Sequence, residues 1–209
     1  MNGLVSALER GLVVAIATES SFGLFADATR SEALDALLRV KPRGAEKGIP
    51  VVLPNAEAWS SLVPAVPAPA RALADAFWPG AFSIALEARP DVDARLTLDG
   101  RVAVRVAGPS PAAELALRFG KPLTATSANP PGEAPALTSD EVERALRPAI
   151  EAGLLVVFPG TSPGGLPSTL VSVSATEVRA VRSGRVPLDR VREVLRAQGL
   201  DLDETALHR

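Results

Sequence analysis

Residues 101–106 read RVAVRV, and this stretch has the clearest β-strand alternation in the chain. Arg101, Ala103 and Arg105 fall on one face of such a strand, and the three valines fall on the other. The turn-forming pair Asp99-Gly100 precedes it. Two same-face arginines separated by a small residue could receive a carboxylate and a phosphate, which predicts the floor of a pocket. An exposed sheet face explains the same alternation.

Helix and strand signals continue on both sides of this stretch. Thr29 with Glu32 and Thr138 with Glu141 have capping-box spacing, and Ser110-Pro111 predicts a helix that ends at Gly120. The predicted helices cover residues 4–10, 29–40, 69–77, 110–120, 138–147 and a segment from 188 onward. The predicted strands cover residues 12–17, 49–53, 82–88, 94–98, 101–106, 122–126, 154–158, 168–173 and 178–182. This order predicts a single α/β domain over residues 1–209, with a twisted, mixed parallel and antiparallel sheet flanked by helices.

The composition restricts the possible chemistry. The 209 residues include no cysteine, no tyrosine and one histidine, His208, next to the C-terminus. This excludes thiolate nucleophiles and cysteine zinc sites, and it argues against a histidine base. The 22 basic and 24 acidic side chains leave a net charge of −2, so RNA binding would need a local basic patch. The lysine, arginine, serine, threonine and asparagine that remain suit the binding of phosphate.

Two apolar stretches are candidates for membrane segments, and neither fits one. Residues 12–17 are too few for a signal peptide or a membrane span. Residues 152–176 carry no charge, but the glycines and prolines among them would break a spanning helix. We therefore expect a cytoplasmic protein without a membrane partner.

Three segments carry candidate anion ligands. KPRGAEK, residues 41–47, places three cations in a loop, an arrangement that suits a triphosphate. TSAN, residues 126–129, follows a predicted buried strand, and ligands often bind where strands of an open α/β sheet end. GGLPST, residues 164–169, leads hydroxyls into a strand but lacks the spacing of a P-loop. Each segment alone is also typical of an ordinary turn or a solvated loop.

Taken in order, these segments resemble the YrdC-like threonylcarbamoyl-AMP synthase family over about residues 5–187. The blocks that carry the resemblance are ATESSFGLFADAT (17–29), LLRVKPRGAEKGIPVVL (37–53), FWPGAFSIAL (77–86), RVAVRV (101–106), GKPLTATSANPPGEAP (120–135), PSTLV (167–171) and AVRSG (180–184). Seven blocks in register argue against chance. Residues 188–209 form a C-terminal helix and tail beyond the resemblance.

The resemblance implies a nucleotidyltransferase that makes L-threonylcarbamoyladenylate from L-threonine, bicarbonate and ATP, for the threonylcarbamoyladenosine modification of tRNA. It implies catalytic roles for Lys41 and Arg43. The implied ATP-binding residues are Lys41, Arg43, Lys47, Arg101, Ser127, Asn129, Thr138 and Arg182. The implied amino-acid-binding residues are Ser20, Arg105 and Ser168. Mg²⁺ would be carried with ATP rather than by a metal site of the protein, and separate proteins would transfer the product to tRNA.

The first block departs from the family pattern. Ser20 replaces threonine, Phe22 replaces tyrosine, and Phe25 stands where the family has glycine, so the acceptor pocket could differ. These departures motivate one alternative, a paralogue that adenylates a different carbamate. A second alternative is a non-catalytic module that binds double-stranded RNA, because the family fold resembles one with a basic concave surface. A panel of acceptors tests the first, and salt-dependent RNA affinity without ATP turnover would support the second.

Overall fold

The computed structural model describes residues 1–42 and 48–208, with only the backbone described at Ala206 and His208. Across these residues the α-helices are α1 (Asn2–Glu9), α2 (Ser31–Val40), α3 (Ala68–Phe77), α4 (Pro111–Phe119), α5 (Ser139–Ala145), α6 (Arg147–Glu151) and α7 (Leu188–Arg196). The strands are β1 (Val13–Ala17), β2 (Phe22–Phe25), β3 (Val51–Leu53), β4 (Phe82–Glu87), β5 (Thr97–Leu98), β6 (Arg101–Val106), β7 (Leu123–Thr124), β8 (Thr126–Ser127), β9 (Leu155–Val157), β10 (Thr169–Val173), β11 (Val178–Arg182) and β12 (Leu202–Asp203). Short 3-10 helices cover Ala56–Ser61, Ala94–Leu96 and Thr205–His208.

The strands in this part of the chain form two sheets. The smaller sheet has the order β8-β2-β1-β9, and the larger has the order β12-β11-β10-β4-β6-β3-β7, with β5 also paired to β6. In the smaller sheet β1 and β9 are parallel, whereas β2 is antiparallel to both of its neighbours. In the larger sheet β10 with β4 and β3 with β6 are parallel pairs, whereas β4 and β6 are antiparallel. The predicted mixed parallel and antiparallel α/β architecture is confirmed.

The RVAVRV stretch is β6, in the middle of the larger sheet, with the predicted bounds Arg101–Val106. Asp99 and Gly100 both have positive φ, at 49° and 70°, and join β5 to β6 through a two-residue turn. That conformation matches the right-handed twist of the flanking strands, which is why an Asp-Gly pair predicts a hairpin. Val102 and Val104 are fully buried, so the valine face of β6 points into the core.

The predicted capping box at Thr29 and Glu32 is wrong. The Thr29 hydroxyl and backbone N–H both donate to the Asp27 carboxylate, at 2.6 and 2.9 Å. Helix α2 begins at Ser31, and its N-cap residue Arg30 makes no side-chain capping bond. Asp27 is 1% exposed, and a buried carboxylate requires hydrogen-bond donors. Thr29 therefore bonds to Asp27 instead of capping the helix. The second predicted box, at Thr138 and Glu141, is confirmed in both of its hydrogen bonds.

Three other predicted elements divide. Residues 94–98 start as a 3-10 turn, so only Thr97–Leu98 is strand. The helix predicted over 138–147 ends at Ala145, and α6 follows from Arg147. The strand predicted over 122–126 becomes β7 in the larger sheet and β8 in the smaller one, and between them the Ala125 N–H donates to the Pro50 carbonyl at 2.8 Å. The chain therefore crosses between the sheets immediately before Ser127.

Two apolar clusters hold the sheets and helices together. Strand β1 is fully buried and alternates between them: Val13, Ala15 and Ala17 belong to the larger cluster, and Val14 and Ile16 to the smaller. Helices α1 and α4 cover the smaller cluster, because their buried residues belong to it. None of the helices in residues 1–42 and 48–208 combines the length and the apolar character that crossing a membrane requires.

Candidate active site

A cavity of about 460 Å³ lies between the two sheets. The smaller sheet contributes residues of β2 and β8, and the larger sheet contributes residues of β4, β6, β10 and β11. The polar side chains that line it are Thr18, Ser20, Ser21, Ser83, Arg105, Thr126, Ser127, Ser168 and Arg182. Five of the residues predicted from sequence, Ser20, Arg105, Ser127, Ser168 and Arg182, therefore line one cavity.

Lys41 is hydrogen-bonded to residues 127–129, here called the SAN segment, at the edge of this cavity. Its ammonium donates to the Ser127 carbonyl at 2.8 Å, the Ser127 hydroxyl at 3.1 Å and the Asn129 side-chain oxygen at 3.0 Å. Lys41 is 8% exposed and Asn129 is 6% exposed, so these charge-assisted bonds are shielded from solvent. The Asn129 amide in turn donates to the carbonyls of Pro130 and Glu133. The lysine that follows α2 thus fixes Ser127, a cavity residue.

Arg43 and Lys47, the other predicted phosphate ligands of this segment, lie outside the described residues. Both ends of the segment that contains them are held in place. Lys41 fixes the first end, and at the second end the Ile49 N–H donates to the Arg95 carbonyl at 2.9 Å. Gly48 lies against the backbone of β5, where an added Cβ would come within 2.7 Å of the Thr97 carbonyl carbon. Only glycine allows that approach.

A tight turn between β1 and β2 presents Ser20 to the cavity. The Thr18 hydroxyl accepts from the backbone N–H groups of Ser20 and Ser21 at 3.1 and 3.3 Å, and it lies 2.8 Å from the Ser21 carbonyl, to which it donates. The Thr18 and Ser20 hydroxyls lie 3.3 Å apart. Thr18 is 6% exposed, so the turn is anchored by a buried side chain.

Arg105 lies on β6 and forms an ion pair with Glu19 of the same turn. The two side chains are 12% and 11% exposed, and the contact joins the Arg105 Nη1 and Glu19 Oε1 atoms. The second carboxylate oxygen of Glu19 is buried without a hydrogen-bond partner in the described part of the chain. Arg185 donates to the Glu19 backbone carbonyl at 2.7 Å. Glu19 therefore links the small-sheet turn to two arginines from the larger sheet and the segment after it.

Arg182, on β11, and Ser168, immediately before β10, both line the cavity. Arg182 donates to the Ser168 carbonyl at 3.0 Å and to its hydroxyl at 2.9 Å. The Ser83 hydroxyl lies 3.0 Å from that of Ser168. Although Arg182 as a residue is exposed, burial of its guanidinium lowers its pKa, and the charge of Arg105 lowers the pKa further. Both arginines line the cavity, and two guanidinium groups that repel each other favour the binding of an anion beside them.

Two predicted ATP-binding residues lie apart from this cluster. Arg101 shares a strand face with Arg105, but four residues along a strand correspond to about 13 Å. Its guanidinium donates to the Val173 carbonyl at 3.0 Å, and it does not line the cavity. Thr138 caps α5, while its neighbour Leu137 reaches the cavity wall. The predicted pocket floor on β6 is thus made by Ala103 and Arg105 without Arg101.

The candidate site also contains residues for which the sequence predicts no role. Thr18 and Glu19 lie within the ATESSFG stretch and Ser83 lies within FWPGAFSIAL, whereas Arg185 immediately follows the AVRSG block. The contributions of Glu19, Ser83 and Arg185 depend on contacts between segments more than 80 positions apart. Thr18 instead bonds within its own turn. Among residues 1–42 and 48–208 there is no group of three His, Cys, Asp or Glu side chains that could hold a metal ion.

A sequence profile of the Sua5/YciO/YrdC family, described as Telomere recombination, matches residues 6–184. The chain belongs to the Sua5/YciO/YrdC family. A relative in Thiobacillus denitrificans is named threonylcarbamoyl-AMP synthase, and it is 34% identical over 178 residues, which are 84% of this chain and 92% of that protein. The Sua5/YciO/YrdC assignment and the prediction of an enzyme are confirmed by these matches.

Solved structures of this family have the same fold. The crystal structure of P. abyssi Sua5 complexed with L-threonine superimposes with a TM-score of 0.83 at 26% identity, and the match covers 98% of this chain. The chain spans 59% of the length of that P. abyssi chain. The crystal structure of E. coli YciO superimposes with a TM-score of 0.73 over 88% of both chains, and at 22% identity this likeness concerns the fold alone.

Proposed function

We propose that this chain joins L-threonine, bicarbonate and ATP into L-threonylcarbamoyladenylate and releases pyrophosphate. The observation that carries the proposal is the convergence of Arg105, Arg182, Ser20 and Ser168 on one cavity that also contains Ser127, which Lys41 holds in place. The relatives named threonylcarbamoyl-AMP synthase and the threonine complex of the P. abyssi protein support this choice of substrates.

The amino acid would bind at the end of the cavity where the two sheets meet through Glu19. Its carboxylate would accept hydrogen bonds from Arg105, which lines the cavity and has one guanidinium nitrogen on Glu19. A planar guanidinium and a carboxylate form paired, charge-assisted hydrogen bonds. The hydroxyls of Ser20 and Ser168 would bind the polar atoms of the amino acid.

The nucleotide would bind toward the SAN segment. Lys41, Ser127 and Asn129 would contact the phosphates, together with Arg43 and Lys47, which the sequence places in the same loop. An ammonium that already has three acceptors would exchange at least one of them for a phosphate oxygen. Arg182 would bind the α-phosphate next to the amino-acid side, because it lines the same cavity as Arg105 and donates to the Ser168 hydroxyl. Arg101 and Thr138 would also contact the nucleotide, although neither residue lines the cavity.

The proposed reaction needs no covalent enzyme intermediate. The threonine amine and bicarbonate form a carbamate by making an N–C bond and losing water. A carbamate oxygen then attacks the α-phosphorus of ATP, and the bond to the bridging oxygen of the β-phosphate breaks, so that its electron pair leaves with pyrophosphate. The protein's part is to position the reactants and stabilise the developing charge, for which arginine, lysine and hydroxyl groups suffice.

Mg²⁺ would arrive as the counter-ion of ATP. The described residues offer no carboxylate cluster for a resident metal, and no step proposed for the protein depends on one. The product is a mixed anhydride of a carbamate and a phosphate, which is a reactive acyl donor. Separate proteins would use it to modify tRNA.

Pyrophosphate release tests the proposal. We expect release that requires ATP, bicarbonate and L-threonine together, with a product of the mass of threonylcarbamoyladenylate. Arg105→Ala should raise the KM for threonine at least tenfold, while Arg190→Ala, which removes an exposed arginine paired with Glu193, should leave both KM values unchanged. If a different amine gives product and threonine does not, the acceptor is that amine and not threonine. If no amine gives product, the proposed synthase activity is refuted.

A further inference from the structure

A short glycine-containing segment lies between the cavity and solvent. Residues 163–167 read PGGLP, and this PGGLP segment belongs to no helix or strand. Gly164, Gly165 and Pro167 line the cavity, whereas Leu166 is 62% exposed. The segment therefore faces the cavity with its glycines and solvent with its leucine.

Both ends of the PGGLP segment are anchored to neighbouring parts of the chain. Before it, the Ser162 N–H donates to the Leu137 carbonyl at 2.7 Å. At its end, the Pro167 carbonyl accepts from the Arg185 N–H at 2.9 Å. Gly184 packs against the same carbonyl, since an added Cβ would come within 2.4 Å of its oxygen. Only the residues between these anchors are left to move.

One arginine side chain holds the middle of the PGGLP segment. Among the described residues, the one hydrogen bond to residues 163–166 comes from Nη2 of Arg185, which lies 3.4 Å from the Gly164 carbonyl oxygen. Gly165 packs against the same nitrogen, because an added Cβ would lie 3.1 Å from it. Gly165 has a φ of 105°, a conformation that other residues rarely adopt. Exposed backbone with so few contacts is typical of segments that open locally.

The other terminal nitrogen of Arg185 bonds to the turn that presents Ser20. Nη1 donates to the Glu19 carbonyl at 2.7 Å. The turn joins β1 and β2 of the smaller sheet, whereas Arg185 follows β11 of the larger sheet. One planar guanidinium therefore connects the PGGLP segment to the Ser20 turn, and the fixed geometry of its two nitrogens suits this bridge better than a lysine ammonium does.

We propose that Arg185 is a positioning residue that holds the PGGLP segment closed as a lid over the amino-acid end of the cavity. This inference rests on the proposed function and adds to it a residue that retains the bound amino acid. Arg185 does not itself line the cavity, so it acts through the segment and the turn. A lid suits the proposed reaction, because a carbamate that is not used reverts to the amine and CO2, and closed sites keep such species in place.

Binding of L-threonine without turnover tests the lid. Isothermal titration calorimetry of the full chain would use Mg²⁺ and α,β-methylene-ATP, an analogue that cannot release pyrophosphate. We expect Arg185→Ala to weaken threonine binding about tenfold, because a charged hydrogen-bond donor is lost, and to leave the affinity for the analogue unchanged. Arg185→Lys should recover only part of the threonine affinity, because its ammonium keeps the charge and lacks the planar fork.

Arg30→Ala is the matched control. Arg30 also donates a guanidinium N–H to a backbone carbonyl 21 positions away, that of Glu9 at 2.6 Å, and it does not line the cavity. Its removal should leave the affinities for threonine and for the analogue unchanged. A loss of threonine affinity equal to that in Arg185→Ala would assign the effect to the removal of any such arginine and overturn the proposal.

Gly165→Ala tests the same contact from the side of the segment. Its methyl would displace the guanidinium, so threonine binding should weaken as in Arg185→Ala. The double variant should bind threonine no more weakly than either single variant, because both changes remove one contact. Gly11→Ala is the control, since Gly11 also has a positive φ, at 79°, and no atom lies within 4 Å of its added Cβ. Losses that add in the double variant would contradict the shared contact.

The remaining outcomes separate the lid from the proposed function. Unchanged threonine affinity in folded Arg185→Ala would overturn the lid, and so would an equal loss of affinity for threonine and the analogue or the absence of threonine binding to the wild type. If Arg185→Ala does not fold, Arg185→Lys decides the question. Threonine binding that depends on Arg185 without any pyrophosphate release would preserve the lid and contradict the synthase. Pyrophosphate release with unchanged threonine affinity in Arg185→Ala would do the reverse.

Discussion

The ammonium of Lys41 lies 3.0 Å from the side-chain oxygen of Asn129, although 88 positions separate the two residues in the sequence. Lys41 follows the last residue of α2, and Asn129 follows the segment in which the chain crosses between the sheets. Their contact fixes the start of the cationic segment 41–47 relative to the cavity. The geometry of the proposed phosphate-binding end therefore depends on this buried pair.

Lys41→Ala should reduce turnover strongly while the fold persists. Removing a charged donor from hydrogen bonds of this kind costs about 1.5–3 kcal/mol, which corresponds to roughly 10- to 150-fold in rate. Pyrophosphate release and circular dichroism would measure activity and fold. Lys121→Ala is the control, because that lysine is 58% exposed and lies 3.8 Å from Asp27, away from the cavity. Equal rates in wild type and Lys41→Ala would remove Lys41 from the mechanism.

Gly48→Ala should destabilise the protein by about 1–3 kcal/mol, because its Cβ would meet three backbone atoms of Thr97 and Leu98 at 2.7–3.0 Å. The KM for ATP should rise as well, since Gly48 ends the cationic segment. Gly3→Ala is the matched control: position 3 lies in α1 with nothing within 4 Å of the added Cβ, so this change should stabilise slightly. Urea unfolding of both variants gives the comparison, and an unaffected Gly48→Ala protein would contradict the close approach.

Glu19→Ala should lower the free energy of unfolding by about 3 kcal/mol, because Arg105 would keep its charge in a site where its side chain is 12% exposed. Bound threonine should restore part of the lost free energy of unfolding, because its carboxylate would pair with the Arg105 guanidinium in place of Glu19. The thermal shift caused by threonine should therefore be larger in Glu19→Ala than in the wild type. Glu114→Ala, which breaks an exposed pair with Arg118, should cost under about 1 kcal/mol and respond to threonine as the wild type does.

Asp93 gives a prediction for pH dependence. The side-chain hydrogen bond from Arg95 holds the pKa of Asp93 below its ordinary value of 3.8, and desolvation opposes this only in part. The folded state therefore binds the proton less tightly than the unfolded state does, so the stabilisation is present above pH 3.8 and is lost as the pH falls through the folded-state pKa. Asp93→Asn should cost about 1 kcal/mol at pH 7, and this cost should disappear once the pH lies below the folded-state pKa of Asp93. A cost independent of pH would contradict the ion pair as its source.

The sequence predicts the elements whose signals are local. The alternation in RVAVRV gives β6 its observed bounds, and the Thr138 capping box and the end of α4 at Gly120 follow from short-range chemistry. No sequence pattern predicts β2, because Phe22–Phe25 is buried on both faces and does not alternate in polarity. At Thr29 the local signal fails because buried Asp27 takes the hydroxyl that the capping box needs.

The sequence predicts only part of the candidate site. Family blocks identify Ser20, Arg105, Ser127 and Ser168, which line one cavity in the structure. The contribution of Glu19 depends on its meeting β6 across 86 positions, and no local pattern encodes such a contact. Arg101 shows the converse limit: a shared strand face predicts a shared direction but not a position along the strand.

Mass detection of the adenylate formed from isotopically labelled bicarbonate, L-threonine and ATP tests the proposed synthase activity directly. We expect threonylcarbamoyladenylate that carries the label in its carbamate carbon, that forms with an equal amount of pyrophosphate, and that is absent when threonine is omitted. Pyrophosphate released without a labelled adenylate, or an adenylate that forms without bicarbonate, would contradict it.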